Sequence, residues 1–488
     1  MTTLTKRFSD KSGGVSLLIH LAVIISVILA GSVLVYGINT QISRTLFYSL
    51  VVVYFFTIRD KPLAISLLFI LILNPWGLFY YRPHDWFLSL TSTVGISYRT
   101  IFILALVAKA LYYKEFTKPK MRNLLKNHYY PIFFYLIFLI SLGLVFGHDA
   151  RSLYDLFTNL PVWLVFIVIP VAMSGSELAR FNKLIILFTI VHVIIGIFDI
   201  ITGGTITTIL IFGREASTAA LWGEGFVRLT GGIGIVLYSM VISLYYLTLK
   251  KKKLNIWYLW VSVLLSLLYI INSGTRGWII AISVIMLIWL IYYSRAVLVR
   301  RGVVLTFVIV LMLGYIVSPP GVKRNINQAY LRLTTVEAIA EGDFTAGGTA
   351  RRWDVRGPYT LTHFRESPVF GHGYSRITSE YYDGHVGNHS LLLMGGVAGF
   401  LIIWLTVLSV GFKLYRLERA GDERRGLFVF AIALVGIMVI HSTSRAMISF
   451  LMPSDVAFIV SLFFNQINVH AAGATSEKRL RRVQHTFK

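Results

Sequence analysis

The chain has 488 residues, of which 56% are hydrophobic and only 14% are charged. Soluble proteins are about 25% charged, so the composition excludes a soluble multidomain enzyme, and its hydrophobicity excludes intrinsic disorder. The net charge of +24 fits the Lys- and Arg-rich cytoplasmic loops of a membrane protein, so no nucleic-acid partner is expected. The absence of cysteine excludes disulfides and a cysteine nucleophile. We predict an all-α polytopic membrane protein.

Apolar segments near the length that crosses a hydrocarbon core, about 20 residues, recur along the whole chain. They predict about fourteen transmembrane helices, or about twelve if the second and third segments form one re-entrant pair. Their approximate bounds are 15–37, 42–58, 62–78, 93–112, 129–147, 157–173, 184–202, 230–249, 254–272, 277–293, 303–318, 390–412, 427–443 and 446–466.

The positive charges between these segments predict the orientation of the chain. If the N-terminus is cytoplasmic, 30 of the 46 Lys and Arg residues lie inside and 16 outside. One missed helix would invert every later loop, so this bias supports the count and places both termini in the cytoplasm.

The same reading divides the chain into four parts. They are membrane helices over 1–318 with an outside loop at about 203–229, a large outside loop over 319–389, membrane helices over 390–466, and a basic cytoplasmic tail over 467–488. Within the large loop, helical spacing predicts a helix over 325–340 and a second one over 349–364.

Arginines gather at the predicted outer ends of the helices and in the outside loops. Arg228 lies at the mouth of one helix, and Arg276 lies in a short turn with glycine and serine neighbours. Placing an arginine near the bilayer costs free energy unless its charge is paired or hydrated. Its planar guanidinium binds phosphate oxygens bidentately. The candidate ligands of a lipid-linked pyrophosphate are Arg228, Arg276, Arg214, Arg376 and Arg352.

Two histidines, His385 and His389, directly precede the membrane segment predicted over 390–412. Histidine is the side chain that transfers protons near neutral pH. Ser390 is a candidate N-cap, which would hold His389 at the start of the helix. Both histidines are candidate catalytic residues. The sequence has no Asp-x-Asp pair and no cluster with metal-ligand spacing, so neither a metal nor a cofactor is expected.

Several short motifs together resemble the bacterial O-antigen ligase and polymerase superfamily. They follow the order of that family over about 200–400 and lie on the expected side of the membrane. They are an Arg-x-x-Gly step at Arg228, the Ser-Gly-Thr-Arg-Gly turn at Arg276, the step over 368–373, and His389-Ser390 ahead of Gly396 and Gly399.

Two residues are candidates for the histidine of the family motif. The family usually has His-Asn or His-Ser, then nine residues, then Gly-x-x-Gly. His389 fits the dipeptide, but Gly396 then arrives about four residues early. His385 fits the spacing, but Val386 replaces the polar partner. We favour His389 and keep His385 as its competitor.

The resemblance implies a metal-independent glycosyltransferase of the bacterial inner membrane whose active site faces the periplasm. Its donor would be a glycan on undecaprenyl pyrophosphate, and attack from the opposite face would invert the linkage. Its acceptor would be a lipid-linked glycan or lipid A-core, with membrane lipids and a chain-length regulator as further partners. The arginines would stabilise the leaving pyrophosphate, the task that a metal often performs.

Two reactions fit this resemblance. Polymerases of this kind carry an Arg-x10-Gly pattern in each large outside loop, and Arg214–Gly225 and Arg376–Gly387 have that spacing. We therefore favour an O-antigen polymerase, with an O-antigen ligase as the alternative. A lipid-linked glycan flippase is less favoured, because transporters place ionisable residues near the bilayer midplane.

Overall fold

The computed structural model of the chain describes the backbone of most of the helical core and of part of the large loop. The described residues are 22, 26, 41–58, 60–72, 86–89, 95–117, 130–150, 152–153, 156, 160–202, 229, 232–249, 254–293, 315–316, 318–327, 330, 352–419, 425–443, 459–467 and 469. Apart from one two-stranded antiparallel hairpin, the regular elements among these residues are helices. The helical fold class is therefore confirmed.

The first part of the described chain alternates apolar helices with one hairpin. Its elements are α1 (Gln41–Thr57), α2 (Lys61–Ile72), β1 (Trp86–Ser89), β2 (Gly95–Ser97), α3 (Tyr98–Tyr112), α4 (Tyr130–Phe146), a 3-10 turn (Leu160–Leu164), α5 (Val165–Ala172) and α6 (Gly175–Ile201).

The second part holds the longest helix and the described part of the large loop. Its elements are α7 (Ile233–Thr248), α8 (Ile256–Asn272), α9 (Arg276–Tyr293), a helix over 320–327, a π-helical turn (Arg352–Arg356), α10 (Gly357–Thr360), a 3-10 turn (Phe364–Glu366), α11 (Arg376–Tyr381), α12 (Gly387–Arg419), α13 (Phe428–Thr443) and a helix over 459–467.

Among the described helices, α6 and α12 are both long and apolar enough to cross a membrane. Several of the others are apolar but shorter, at 10–17 residues. The two segments treated as a possible re-entrant pair are separate helices, α1 and α2. The number of crossing helices stays a prediction.

Helix α7 forms the centre of the bundle, packed against α6 and α8. Nearly all of its residues are buried, as expected for a helix that is apolar on every side. Its few polar groups are paired within the core. The Tyr238 hydroxyl donates to the Asn182 side chain at 2.7 Å, and Ser239 and Ser243 bond to Ser262 of α8 at 3.1 and 3.0 Å. Such small polar residues allow helices to approach closely in a membrane.

Charged residues tie together the ends of α2, α3 and α6 that are predicted to face the cytoplasm. Lys61 pairs with Glu115 and lies 3.5 Å from Glu177, and Arg180 lies 2.6 Å from Asp60. These contacts hold the ends of α2, α3 and α6 in a fixed arrangement.

Four predicted boundaries differ from the structure. Helix α6 begins at Gly175 rather than near 184, because a capping box between Ser174 and Glu177 satisfies the first N–H groups ahead of a polar turn. Helix α12 is longer at both ends than 390–412. In the large loop, the segment predicted as one helix over 349–364 forms three short pieces from residue 352 onward. The described helix near 325 begins at 320, and most of the predicted helix beyond 327 lies outside the described residues.

Candidate active site

The long helix α12 is broken at Gly396, and the loop segment 368–373 fills the break. Gly396 has φ 59° and ψ −169°, a conformation that is essentially confined to glycine. Its neighbours therefore lose their helical partners and pair with the loop segment instead. The four bonds are Val397 N–H to Pro368 O (2.9 Å), Ala398 N–H to Val369 O (2.9 Å), His372 N–H to Leu393 O (3.0 Å) and Gly373 N–H to Met394 O (2.9 Å).

These bonds explain the motif over 368–373 without any direct role in chemistry. Irregular backbone at membrane depth is tolerated only where protein satisfies its polar groups. The hydroxyl of Tyr135, on α4, also donates to Gly395 O, so α4 helps to close the break. The motif anchors the large loop onto α12 about two turns beyond His389.

Replacing Gly396 with alanine is expected to destabilise the protein strongly. An added Cβ would overlap the backbone of Val369, and the glycine-only conformation alone costs about 1–3 kcal/mol for another residue. We expect a clearly lower midpoint of thermal unfolding in detergent. Gly411→Ala on the same helix is the control, since its Cβ would lie at an ordinary 3.7 Å from Ala431. Equal midpoints for the two variants would contradict the described break.

His389 lies half-buried in the first turn of α12, against the backbone of α10. A Cβ on Gly357 would be 3.0 Å from the His389 Nε2 atom, which means that the imidazole packs directly on the α-carbon of this glycine. A side chain at this position would require the ring to move by a few tenths of an ångström. The ring is thus held between its own helix and α10.

Ser390 is not the N-cap of α12, contrary to the prediction. The helix already begins at Gly387, and the Ser390 hydroxyl donates to Asp383 O at 2.6 Å. Asp383 arranges the turn ahead of the helix, because its carboxylate accepts the His385 N–H at 2.8 Å. A side-chain bond of this kind starts an Asx turn. His389 nevertheless lies at the helix start, as expected.

An ion pair fixes α10 to this turn. Arg356 Nη1 lies 3.2 Å from Asp383 Oδ2, with both side chains partly exposed. Such a pair adds little stability, but it joins the residue before Gly357 to the turn before His389. The sequence reasoning did not single out either residue. The Asp383-Gly384 dipeptide is a turn signal that could have drawn attention to Asp383.

The two candidate histidines have different surroundings. His385 is exposed in the turn, whereas His389 is half-buried against Gly357. Of these two histidines, only His389 has its imidazole packed between its own helix and α10. This difference favours His389 as the functional histidine.

The start of α12 also packs on the end of α13. A Cβ on Gly387 would lie 3.0 Å from Nδ1 of the fully buried His441, and Asn388 Nδ2 donates to Ser442 Oγ at 3.1 Å. Gly387 is the glycine of the second Arg-x10-Gly pattern. The close packing of α12 on α13 therefore accounts for a glycine at position 387 without any role in the reaction.

The turn that carries Arg276 lies beside the chain that follows Arg228. Leu229 N–H donates to Asn272 O at 3.4 Å, which joins the residue after Arg228 to the end of α8. Arg276 is the first residue of α9, and its side chain is not among those described. Arg228 itself lies outside the described residues.

The remaining candidate arginines are only partly described. Arg214 lies outside the described residues, and Arg352 begins the π-helical turn but has no described side chain. Arg376 is exposed and begins α11, where its N–H donates to Gly147 O at 2.8 Å. In the part of the chain that the structure describes, no group of three or more His, Asp or Glu side chains could hold a metal ion.

A comparison with known families identifies this same region. Residues 261–391 match the family model described as O-antigen ligase. The matched segment starts within α8 and ends in the first turns of α12, so it includes Arg276, the large loop and both histidines. No curated protein matches the chain. Over this segment the match confirms the resemblance to the O-antigen ligase and polymerase superfamily, and together with the apolar helices it indicates a membrane protein.

Proposed function

We propose that this chain, which carries an O-antigen ligase domain over residues 261–391, is a membrane glycosyltransferase that uses a glycan on undecaprenyl pyrophosphate as its donor. One observation carries the proposal. The family segment contains both Arg276 and His389, and in the structure His389 is held against Gly357 beside the Arg356–Asp383 pair. The matched segment thus contains both a side chain that can accept a proton, held in place by packing, and a turn that carries an arginine.

The proposed chemistry needs a base and a stabilised leaving group. An acceptor hydroxyl attacks the anomeric carbon of the donor, and the bond to the pyrophosphate oxygen breaks. Neutral His389 takes the hydroxyl proton as the new bond forms. Arg276 and Arg228 bind the departing pyrophosphate and offset its charge, which is the task of a divalent cation in other transferases. Attack from the face opposite the pyrophosphate inverts the linkage.

Within this reaction class we propose that the chain is an O-antigen polymerase, which extends a second lipid-linked glycan. The two Arg-x10-Gly patterns, at Arg214 and Arg376, support this choice. An O-antigen ligase, which transfers the glycan to lipid A-core, is the second candidate, since the matched family model is described as O-antigen ligase. Both use the same donor and the same candidate residues. A chain-length regulator is a proposed partner of the polymerase alone.

We further propose that the chain lies in the inner membrane with both termini in the cytoplasm and the large loop in the periplasm. The excess of Lys and Arg in the predicted inside loops supports this orientation. A reporter enzyme fused after Gly347 should be active only if it functions in the periplasm. Activity of a reporter restricted to the cytoplasm would reverse the orientation.

The surface glycan of a deletion strain tests the proposed function. Loss of a polymerase should leave single repeat units on lipid A-core, whereas loss of a ligase should leave lipid A-core bare and polymer on the carrier lipid. Gel analysis of lipopolysaccharide together with the carrier-lipid fraction separates these results. An unchanged pattern in both fractions would reject either reaction.

A further inference from the structure

An exposed aromatic surface lies beside His389 and has no part in the chemistry proposed above. It consists of Tyr359, Tyr381 and His363, which we call the aromatic platform. The Tyr359 and Tyr381 ring centroids are 5.1 Å apart, and the His363 ring lies 4.6 Å from that of Tyr381. Tyr359 is 53% exposed, so part of its side chain is accessible to a ligand.

The platform is built from three separate short elements that the fold holds in register. Tyr359 belongs to α10, Tyr381 is the last residue of α11, and His363 lies between these helices. The fully buried His372 bonds through Nε2 to the His363 carbonyl at 2.9 Å. The Thr362 hydroxyl donates to Tyr359 O at 2.7 Å. A site on such fixed elements costs little ordering when a ligand binds.

Charged groups at the edge of the platform suit a ligand with hydroxyl groups. His363 Nδ1 lies 2.5 Å from Glu366 Oε1, and Arg356 pairs with Asp383 on the adjoining surface. Carboxylates accept hydrogen bonds and a guanidinium donates them, whereas the ring faces contact C–H groups. Tyrosines that only anchor a protein in lipid headgroups need no such acidic partners. A sugar ring, with a C–H face and a rim of hydroxyls, matches both features.

The platform is close enough to His389 to act in the same binding event. Gly357 contacts the His389 ring. Tyr359 is two residues further along the chain, so the Cα atoms of Gly357 and Tyr359 are at most about 7 Å apart. The sugar whose hydroxyl gives its proton to His389 is the acceptor sugar in the proposed reaction. A ring bound on the platform would therefore be its neighbour in the same glycan.

We propose that the aromatic platform is a binding subsite for a sugar ring of the acceptor glycan. This inference rests on the proposed function, since it takes the acceptor to react at His389. Its experiment uses the full-length protein in lipid nanodiscs. The probe is the repeat-unit oligosaccharide released by mild acid from the carrier lipid of the native strain, with binding followed by saturation-transfer NMR.

Tyr359→Ala should weaken oligosaccharide binding about tenfold, since it removes one stacking face. Tyr359→Phe keeps the face and should bind within about twofold of the unchanged protein. The matched control is Tyr112→Ala, which removes an exposed tyrosine at the end of α3, away from the platform, whose ring lies 5.3 Å from that of the next residue, Tyr113. In turnover assays Tyr359→Ala should raise KM for the acceptor with little change in kcat.

The outcomes separate this inference from the proposed function. If His389→Ala abolishes transfer and Tyr359→Ala binds the oligosaccharide normally, the platform is not a sugar subsite, although the proposed function stands. If Tyr359→Ala binds normally but loses thermal stability in nanodiscs, the tyrosine anchors the protein in lipid, which also overturns the subsite. If His389→Ala still transfers while Tyr359→Ala loses oligosaccharide binding, the proposed chemistry fails and the platform remains a glycan site.

Discussion

Replacing His389 with alanine is expected to abolish glycan transfer while the lipid-linked donor accumulates. The imidazole is the proposed acceptor of the hydroxyl proton, and general base catalysis contributes roughly 10²–10⁴-fold to such reactions. The half-buried ring is fixed against Gly357 rather than free in solvent, so another group cannot easily take its place. The measurement is the glycan pattern of a deletion strain that expresses the variant, with the carrier-lipid fraction analysed in parallel.

Two further variants sharpen this prediction. Gly357→Ala should shift the imidazole by a few tenths of an ångström, because its Cβ would lie 3.0 Å from Nε2, and should slow transfer about tenfold by misplacing the base. His385→Ala should have a milder effect than His389→Ala, since His385 is exposed in the preceding turn. Near-normal long chains from His389→Ala, with loss in His385→Ala, would identify His385 as the functional histidine.

The helices of the core follow from the sequence because they depend on local composition. An apolar run of sufficient length, such as α8 or α13, is recognisable without knowledge of its neighbours. The ends of α6 and α12 are harder to predict. Their terminal turns carry charged residues, such as Arg180 and Arg416, that a hydropathy pattern assigns to loops. Capping and side-chain pairing, not hydropathy, extend these helices.

The site could be predicted only in part, because its decisive contacts join distant parts of the chain. The order of short motifs indicated His389 and the segment 368–373. It could not reveal that this segment satisfies the break at Gly396, since backbone pairing leaves no pattern in side-chain type. The contact between Gly357 and His389 was equally inaccessible. A glycine can occur in a loop for many reasons. Only the packing of α10 on α12 shows why residue 357 is a glycine.

Replacing Arg276 should abolish glycan assembly even when the charge is kept. Arg276 begins α9, so a pyrophosphate there would meet both its guanidinium and the positive end of the helix dipole. Loss of one charge-assisted contact in a water-poor site costs about 2–4 kcal/mol of transition-state stabilisation, or roughly 10²–10³ in rate. Arg276→Lys should also fail, because an ammonium cannot replace the bidentate contact of a guanidinium.

The control for Arg276 is Arg416→Ala. It removes an exposed arginine near the C-terminal end of α12, far along the helix from His389. There the guanidinium lies 4.4 Å from the centre of the Phe412 ring, and the charge has no proposed role in transfer. Its removal should leave glycan assembly unchanged. Each variant is compared at equal amounts in the membrane, with both lipopolysaccharide and the carrier-lipid fraction analysed. Full glycan assembly by Arg276→Ala at normal expression would exclude Arg276 as a ligand of the leaving pyrophosphate. Loss in Arg276→Ala with normal assembly in Arg276→Lys would show that the site needs only a positive charge, because the lysine retains the charge without the planar fork.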